Sequence, residues 1–179
     1  MGGVEENTHP TNCRYIVPNR HEAVETTFDE HRETTTFTFE SELPKGPALL
    51  TIYYDGILND KMAGFYRSTY KDAEGNTKVM GVTQFEATEA RRAFPCWDEP
   101  SAKATFSIKL VVPVELEALS NMPIEQITQV EPEEKTVHFA LTPVMSTYVS
   151  CCFDAPSELD RHGKQLRKWC LGSPTCMFR

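Results

Sequence analysis

The chain has 179 residues, 40% apolar and 25% charged, and its 26 acidic against 18 basic side chains leave a formal charge of −8. That length supports one ordinary domain with a core, and the composition excludes wholesale disorder. The acidic surplus disfavours nucleic acid and anionic membranes as partners, and no apolar run approaches the roughly 20 residues that span a bilayer.

In chain order, residues 1–33 are rich in Glu, Thr, Asn and His without periodicity, which predicts a flexible polar leader. Its start, Met1-Gly2-Gly3-Val4-Glu5-Glu6, lacks the charge and apolar run of a secretory signal. Glu6 also stands where myristoylation needs Ser or Thr, so a cytoplasmic protein is expected. From Thr34 the pattern alternates, and Phe37 and Phe39 fall on one face of a half-buried strand. A second strand at 48–55 is apolar on both faces, which predicts a central place in its sheet. Strands at 65–71 and 78–86 flank the turn chemistry of Asp72-Ala73-Glu74-Gly75-Asn76. Thr88 is placed to cap a short helix over 89–94, stopped by Pro95.

Ala104, Phe106, Ile108, Leu110 and Val112 alternate along a strand predicted at 103–113. The segment 119–123 ends that stretch, strands follow at 125–130 and 135–141, residues 143–147 read as irregular, and a last strand is expected at 148–153. Closely spaced strands with almost no helix predict an all-β fold, an antiparallel β-sandwich with one short helix and irregular termini. The expected organisation is a leader at 1–33, the sandwich at 34–153 and a basic tail at 154–179 carrying Arg161, Lys164, Arg167 and Lys168.

Few residues carry recognisable chemistry. The five histidines (His9, His21, His31, His138, His162) are scattered, and His21-Glu22-Ala23-Val24-Glu25 has Glu where a zinc-binding helix needs its second His. The six cysteines (Cys13, Cys96, Cys151, Cys152, Cys170, Cys176) include no Cys-x-x-Cys pair, so reduced thiols are expected rather than a zinc knuckle. No metal-binding and no catalytic residue is therefore assigned. Asp98 and Glu99 are adjacent, so on an extended backbone they point to opposite sides. An ion pair from one of them to Arg91 or Arg92 is the expected role. Gln84 and Glu86, two apart on a predicted strand, share a face, with Phe85 turned the other way into packing. A carboxylate beside a carboxamide can pair an ammonium group and hydrogen-bond an amide, although spacing alone favours a solvent-facing polar pair.

The stretch Thr83-Gln84-Phe85-Glu86-Ala87-Thr88-Glu89-Ala90-Arg91-Arg92-Ala93-Phe94-Pro95-Cys96-Trp97-Asp98-Glu99-Pro100 resembles the M1 family of zinc aminopeptidases, most closely its puromycin-sensitive branch. Three further segments agree in order: Leu58-Asn59-Asp60-Lys61-Met62-Ala63-Gly64-Phe65-Tyr66-Arg67-Ser68, Ala118-Leu119-Ser120-Asn121-Met122 and Thr142-Pro143-Val144-Met145-Ser146-Thr147-Tyr148. The resemblance implies a β-sandwich that packs on a zinc-bearing catalytic domain. It implies that Glu86 binds the free α-amine of a peptide, that Gln84 lines the first-residue pocket, and that residues 94–100 support the site. Nothing in the sequence matches the family's Gly-x-Met-Glu-Asn segment, its His-Glu-x-x-His helix or its catalytic tyrosine. The family's opening strands are also expected to be missing, and the pattern ends after Val149. The chain is thus expected to be a partial N-terminal domain, unable to hydrolyse peptides alone and without a cofactor of its own, zinc belonging to the full-length enzyme. The alternatives are a stand-alone interaction module, associating with itself or with a full-length aminopeptidase, and a non-functional truncated product.

Overall fold

The computed structural model describes residues 9–17, 19–71, 74–150 and 152–157. Eleven strands follow in order: β1 (His9–Val17), β2 (Asn19–Asp29), β3 (Thr34–Phe39), β4 (Leu49–Asp55), β5 (Gly64–Lys71), β6 (Thr77–Gln84), β7 (Lys109–Pro113), β8 (Glu117–Ser120), β9 (Ile124–Glu131), β10 (Glu134–Phe139) and β11 (Cys152–Ser157). They form three sheets, β3-β2-β1-β4, β7-β10-β9 and β5-β6-β11-β8, in which the strand pairings are antiparallel. The all-β, antiparallel architecture expected from alternation is the one observed.

The leader is the largest correction. Residues 9–17 and 19–29 are strands: β1 pairs with β4 from His9↔Asp55 to Ile16↔Leu49, and β2 pairs with β3 from Ala23↔Phe39 to Asp29↔Thr34. In β2 the most apolar side chains, Val24 and Phe28, are 59% and 45% exposed, so the strand carries no local hydrophobic signature. Its order comes from hydrogen bonds to distant partners, which a local window cannot register. The basic residues Arg161, Lys164, Arg167 and Lys168, and Cys151, Cys170 and Cys176, lie outside the described residues.

Three boundaries move for identifiable reasons. The strand predicted at 48–55 is β4, at the edge of its sheet and not its centre. Its inner face does the packing: Tyr54 lies against the main core, and Leu50 and Ile52 line a cleft. The strand predicted at 103–113 joins a regular ladder only at β7. Upstream, the Thr142 hydroxyl accepts the Phe106 N–H at 2.8 Å in place of a backbone carbonyl, and Ala104 forms a lone bridge with Met145. The side-chain alternation survives, with Phe106, Ile108, Leu110 and Val112 all buried. The final strand is β11, later than expected, because Thr147–Val149 first forms a 3-10 turn.

The core gathers Leu110 and Val112 of β7, Val137 and Phe139 of β10 and Ala118 of β8 around Phe85, Ala90 and Phe94. The Phe85 and Phe94 rings meet edge to face, 5.9 Å between centroids at 70°, a favoured aromatic arrangement. Among the described residues no fully buried apolar side chain comes from β2, β3 or β4.

Between β4 and β5, buried Asn59 shapes the loop. Its Nδ2 donates to the carbonyls of Ala63 (3.1 Å) and Phe65 (3.3 Å), and its Oδ1 accepts the Lys61 N–H at 2.7 Å. Gly64 follows at φ +70°, where an added Cβ would lie 2.6 Å from Arg92 Cβ. Gly64→Ala is expected to lower stability by about 2–4 kcal/mol, from left-handed backbone plus overlap. Urea unfolding measures it, and a loss under about 0.5 kcal/mol, the ordinary surface range, would show that the contact relaxes freely.

Candidate functional site

Gln84 closes β6, opposite Gly64 of β5, so eight consecutive cross-strand pairs hold it in register. Glu86 does not share that strand. The ladder stops at Gln84, and residues 86–89 form a turn in which the Glu89 N–H donates to the Phe85 carbonyl at 3.0 Å. The peptide joining Glu86 to Ala87 is cis. The alternation of exposure nevertheless runs past the strand end: Gln84 and Glu86 are exposed and Phe85 is 4% exposed. The two polar side chains thus stand in solvent on either side of a buried anchor, for a reason partly different from strand pleat. Phe85 is held by the core, and its neighbours are displaced outward.

The helix predicted over 89–94 is a 3-10 turn at Ala90–Arg92. Thr88 is not its cap. Glu89 occupies that position without a side-chain cap bond, and its carboxylate meets the Arg92 guanidinium one turn on. Pro95, lacking an N–H, ends the segment.

Behind this turn lies a buried polar network. The Asp98 side chain is only 2% exposed. Its Oδ2 accepts the Arg91 backbone N–H at 3.0 Å and Arg91 Nε at 3.2 Å, and its Oδ1 accepts the Thr147 hydroxyl at 2.7 Å. Arg91 Nη2 donates to the Asp98 carbonyl and Nη1 to Glu33, each at 3.2 Å. Arg92 approaches the other Glu33 oxygen at 3.6 Å. Of the adjacent carboxylates Asp98 turns inward and Glu99 is exposed, as opposite-facing neighbours require. The expected ion pair is therefore Asp98 with Arg91. Thr147 and Glu33 were not expected as members. A hydroxyl 49 residues from Asp98 and a carboxylate 58 residues from Arg91 have no local signal in the sequence.

The four separated motif segments converge here. Ser146 Oγ donates to the Pro100 carbonyl at 2.6 Å, Asn121 Nδ2 donates to the Val149 carbonyl at 2.8 Å, and Gly64 packs on Arg92. On the other side, a cleft of about 350 Å3 separates the first sheet from residues 91–97, lined by Phe28, Phe37, Leu50, Ile52 and Trp97 with both arginines.

The described residues do not fit a zinc ion. No group of three or more His, Cys, Asp or Glu among them is placed to hold a metal. His21 lies in β2, His31 in the turn after it and His138 in β10, so the imidazoles sit on separate elements. Cys96 is half buried and outside any disulfide.

The Peptidase M1 N-terminal domain model matches residues 8–149, so the match takes in β1 and β2. Aminopeptidase M1-C of Oryza sativa subsp. japonica is 51% identical over 142 residues, 77% of this chain and 16% of the relative. Aminopeptidase M1 of Arabidopsis thaliana is 46% identical over 145 residues, 79% of this chain and 16% of the relative. Aminopeptidase N of Acetobacter pasteurianus is 46% identical over 123 residues, 69% of this chain and 35% of the relative. The chain spans about a sixth of the length of its plant relatives. With several separated segments folded onto one buried network and the family match covering most of its length, the chain belongs to the M1 peptidase family, as part of its N-terminal domain.

Proposed function

We infer that this domain serves an M1 aminopeptidase by holding the amino end of a peptide, Glu86 pairing its free α-amine and Gln84 lining the pocket for its first side chain. The observation that carries the reading is the exposure of both polar side chains on either side of buried Phe85. A carboxylate held on a turn can pair an ammonium group without first breaking a competing ion pair, and among the described residues Glu86 has none. The adjoining amide can donate to or accept from a peptide group.

Hydrolysis belongs to the remainder of the full-length enzyme, where zinc would polarise the scissile carbonyl and activate water. The residues of this chain bind and orient. Their partners are peptide N-termini and the rest of the aminopeptidase. No helix among the described residues is long and apolar enough to cross a membrane. A cytoplasmic setting is part of this reading, and fractionation tests it directly.

The test is a graft of residues 8–149 in place of the matching stretch of the rice relative. Glu86→Gln in the graft is expected to lower kcat/KM for unblocked aminoacyl amides about tenfold or more, the worth of a hydrogen bond to a charged group. Unchanged kcat/KM would remove Glu86 from the site.

A further inference from the structure

We propose that Asp98 and Thr147 are positioning residues for the Glu86 carboxylate, acting through Arg91 and the 3-10 turn that follows Glu86. The proposal rests on the reading of Glu86 as an amine contact, and it concerns what keeps that carboxylate in place.

Upstream, Gln84 is held by the β5 ladder. Downstream, the turn bearing Glu86 is closed by one backbone bond, from Glu89 N–H to the Phe85 carbonyl, and continues into three residues of 3-10 helix. Such helices have poor hydrogen-bond geometry and persist in short pieces only where other contacts hold them. Here core packing of Ala90 and the Glu33 carboxylate contribute, and Asp98 is the buried polar contact that reaches the turn's main chain. One of its oxygens takes both the main-chain N–H and the Nε of Arg91, which fixes the turn's backbone as well as its side chain. The other oxygen is engaged by Thr147, itself 4% exposed. A carboxylate anchored on one side only could rotate about its Cβ–Cγ bond and carry Arg91 with it. The Thr147 hydroxyl stops that rotation. The adjoining stitch, Ser146 Oγ to the Pro100 carbonyl, joins the same two segments without touching Asp98. It therefore provides an internal comparison of similar size.

Backbone order parameters from NMR relaxation on the full chain test the proposal without ligand. Residues 86–89 are expected near 0.85, the value of rigid backbone, and to fall toward about 0.6 in Thr147→Val. The β7–β10 ladder should keep its values, Thr147→Ser should restore the turn, and Ser146→Ala should leave the turn ordered. Unchanged order at 86–89 in Thr147→Val would overturn the proposal. So would an equal loss in the ladder, or a variant that fails to fold, because either assigns the hydroxyl to the stability of the whole domain. The Glu86→Gln graft tests the amine contact separately, so each reading can fail while the other stands.

Discussion

Asp98→Ala is expected to destabilise the chain by about 3 kcal/mol, as for breaking a buried ion pair. The change strips the partner from the Arg91 Nε, the Arg91 backbone N–H and the Thr147 hydroxyl at once. Arg91 is 28% exposed and keeps Glu33, so water recovers part of its solvation and the loss stays near the low end of the buried range. Asp98→Asn should cost about half as much, because an amide oxygen can still accept from Arg91 while its NH2 donates to Thr147. The midpoint and slope of urea unfolding measure both. Two variants of equal stability would show that a neutral amide recovers nothing and that the carboxylate charge carries the interaction, and an Asp98→Ala loss under about 1 kcal/mol would show that the network is dispensable.

Phe85→Ala is the second large effect, expected at about 3–5 kcal/mol, the range for removing a buried aromatic ring. The ring is 4% exposed, packs in the main core and meets Phe94 edge to face. Its position between Gln84 and Glu86 gives the change a second consequence. Without the anchor, Glu86, beyond the strand end, loses the contact that turns it outward, while Gln84 keeps its β5 partner. Phe85→Leu, which keeps much of the volume, should cost under about 1.5 kcal/mol. Val144→Ala, at a side chain 67% exposed, should stay within about 0.5 kcal/mol. If Phe85→Ala and Val144→Ala unfold at the same urea concentration, the core is not where the structure puts it.

How far the fold was legible depended on whether a strand buries one face. Phe106, Ile108, Leu110 and Val112 alternate because alternate side chains enter the core, and the same residues are buried in the structure. β3 shows the rule at lower contrast, with Phe37 and Phe39 half buried between exposed threonines. β2 breaks it. Its exposed apolar side chains and interspersed glutamates give no period, so its pairing with β3 had no visible cause in a local window. β8, four residues long and paired with β11, was likewise too short to register.

For the site, the sequence by itself determined the family, through motif segments in a fixed order, and determined that a carboxylate of the Asp98-Glu99 pair would meet an arginine of the Arg91-Arg92 pair. Those statements follow from residue types and nearby spacing, which a linear chain displays. Only the tertiary structure decided that the pair is Asp98 with Arg91, and that Thr147 and Glu33 complete it across 49 and 58 residues. It also decided that Glu86 stands on a turn and not on the strand of Gln84. The physical reason lies in packing. Each depends on where groups from different elements meet, side chain to side chain at Asp98 and Arg91 and strand to strand at the Gly64–Gln84 end of the β5–β6 ladder, and that is decided when the elements pack, not by the local sequence.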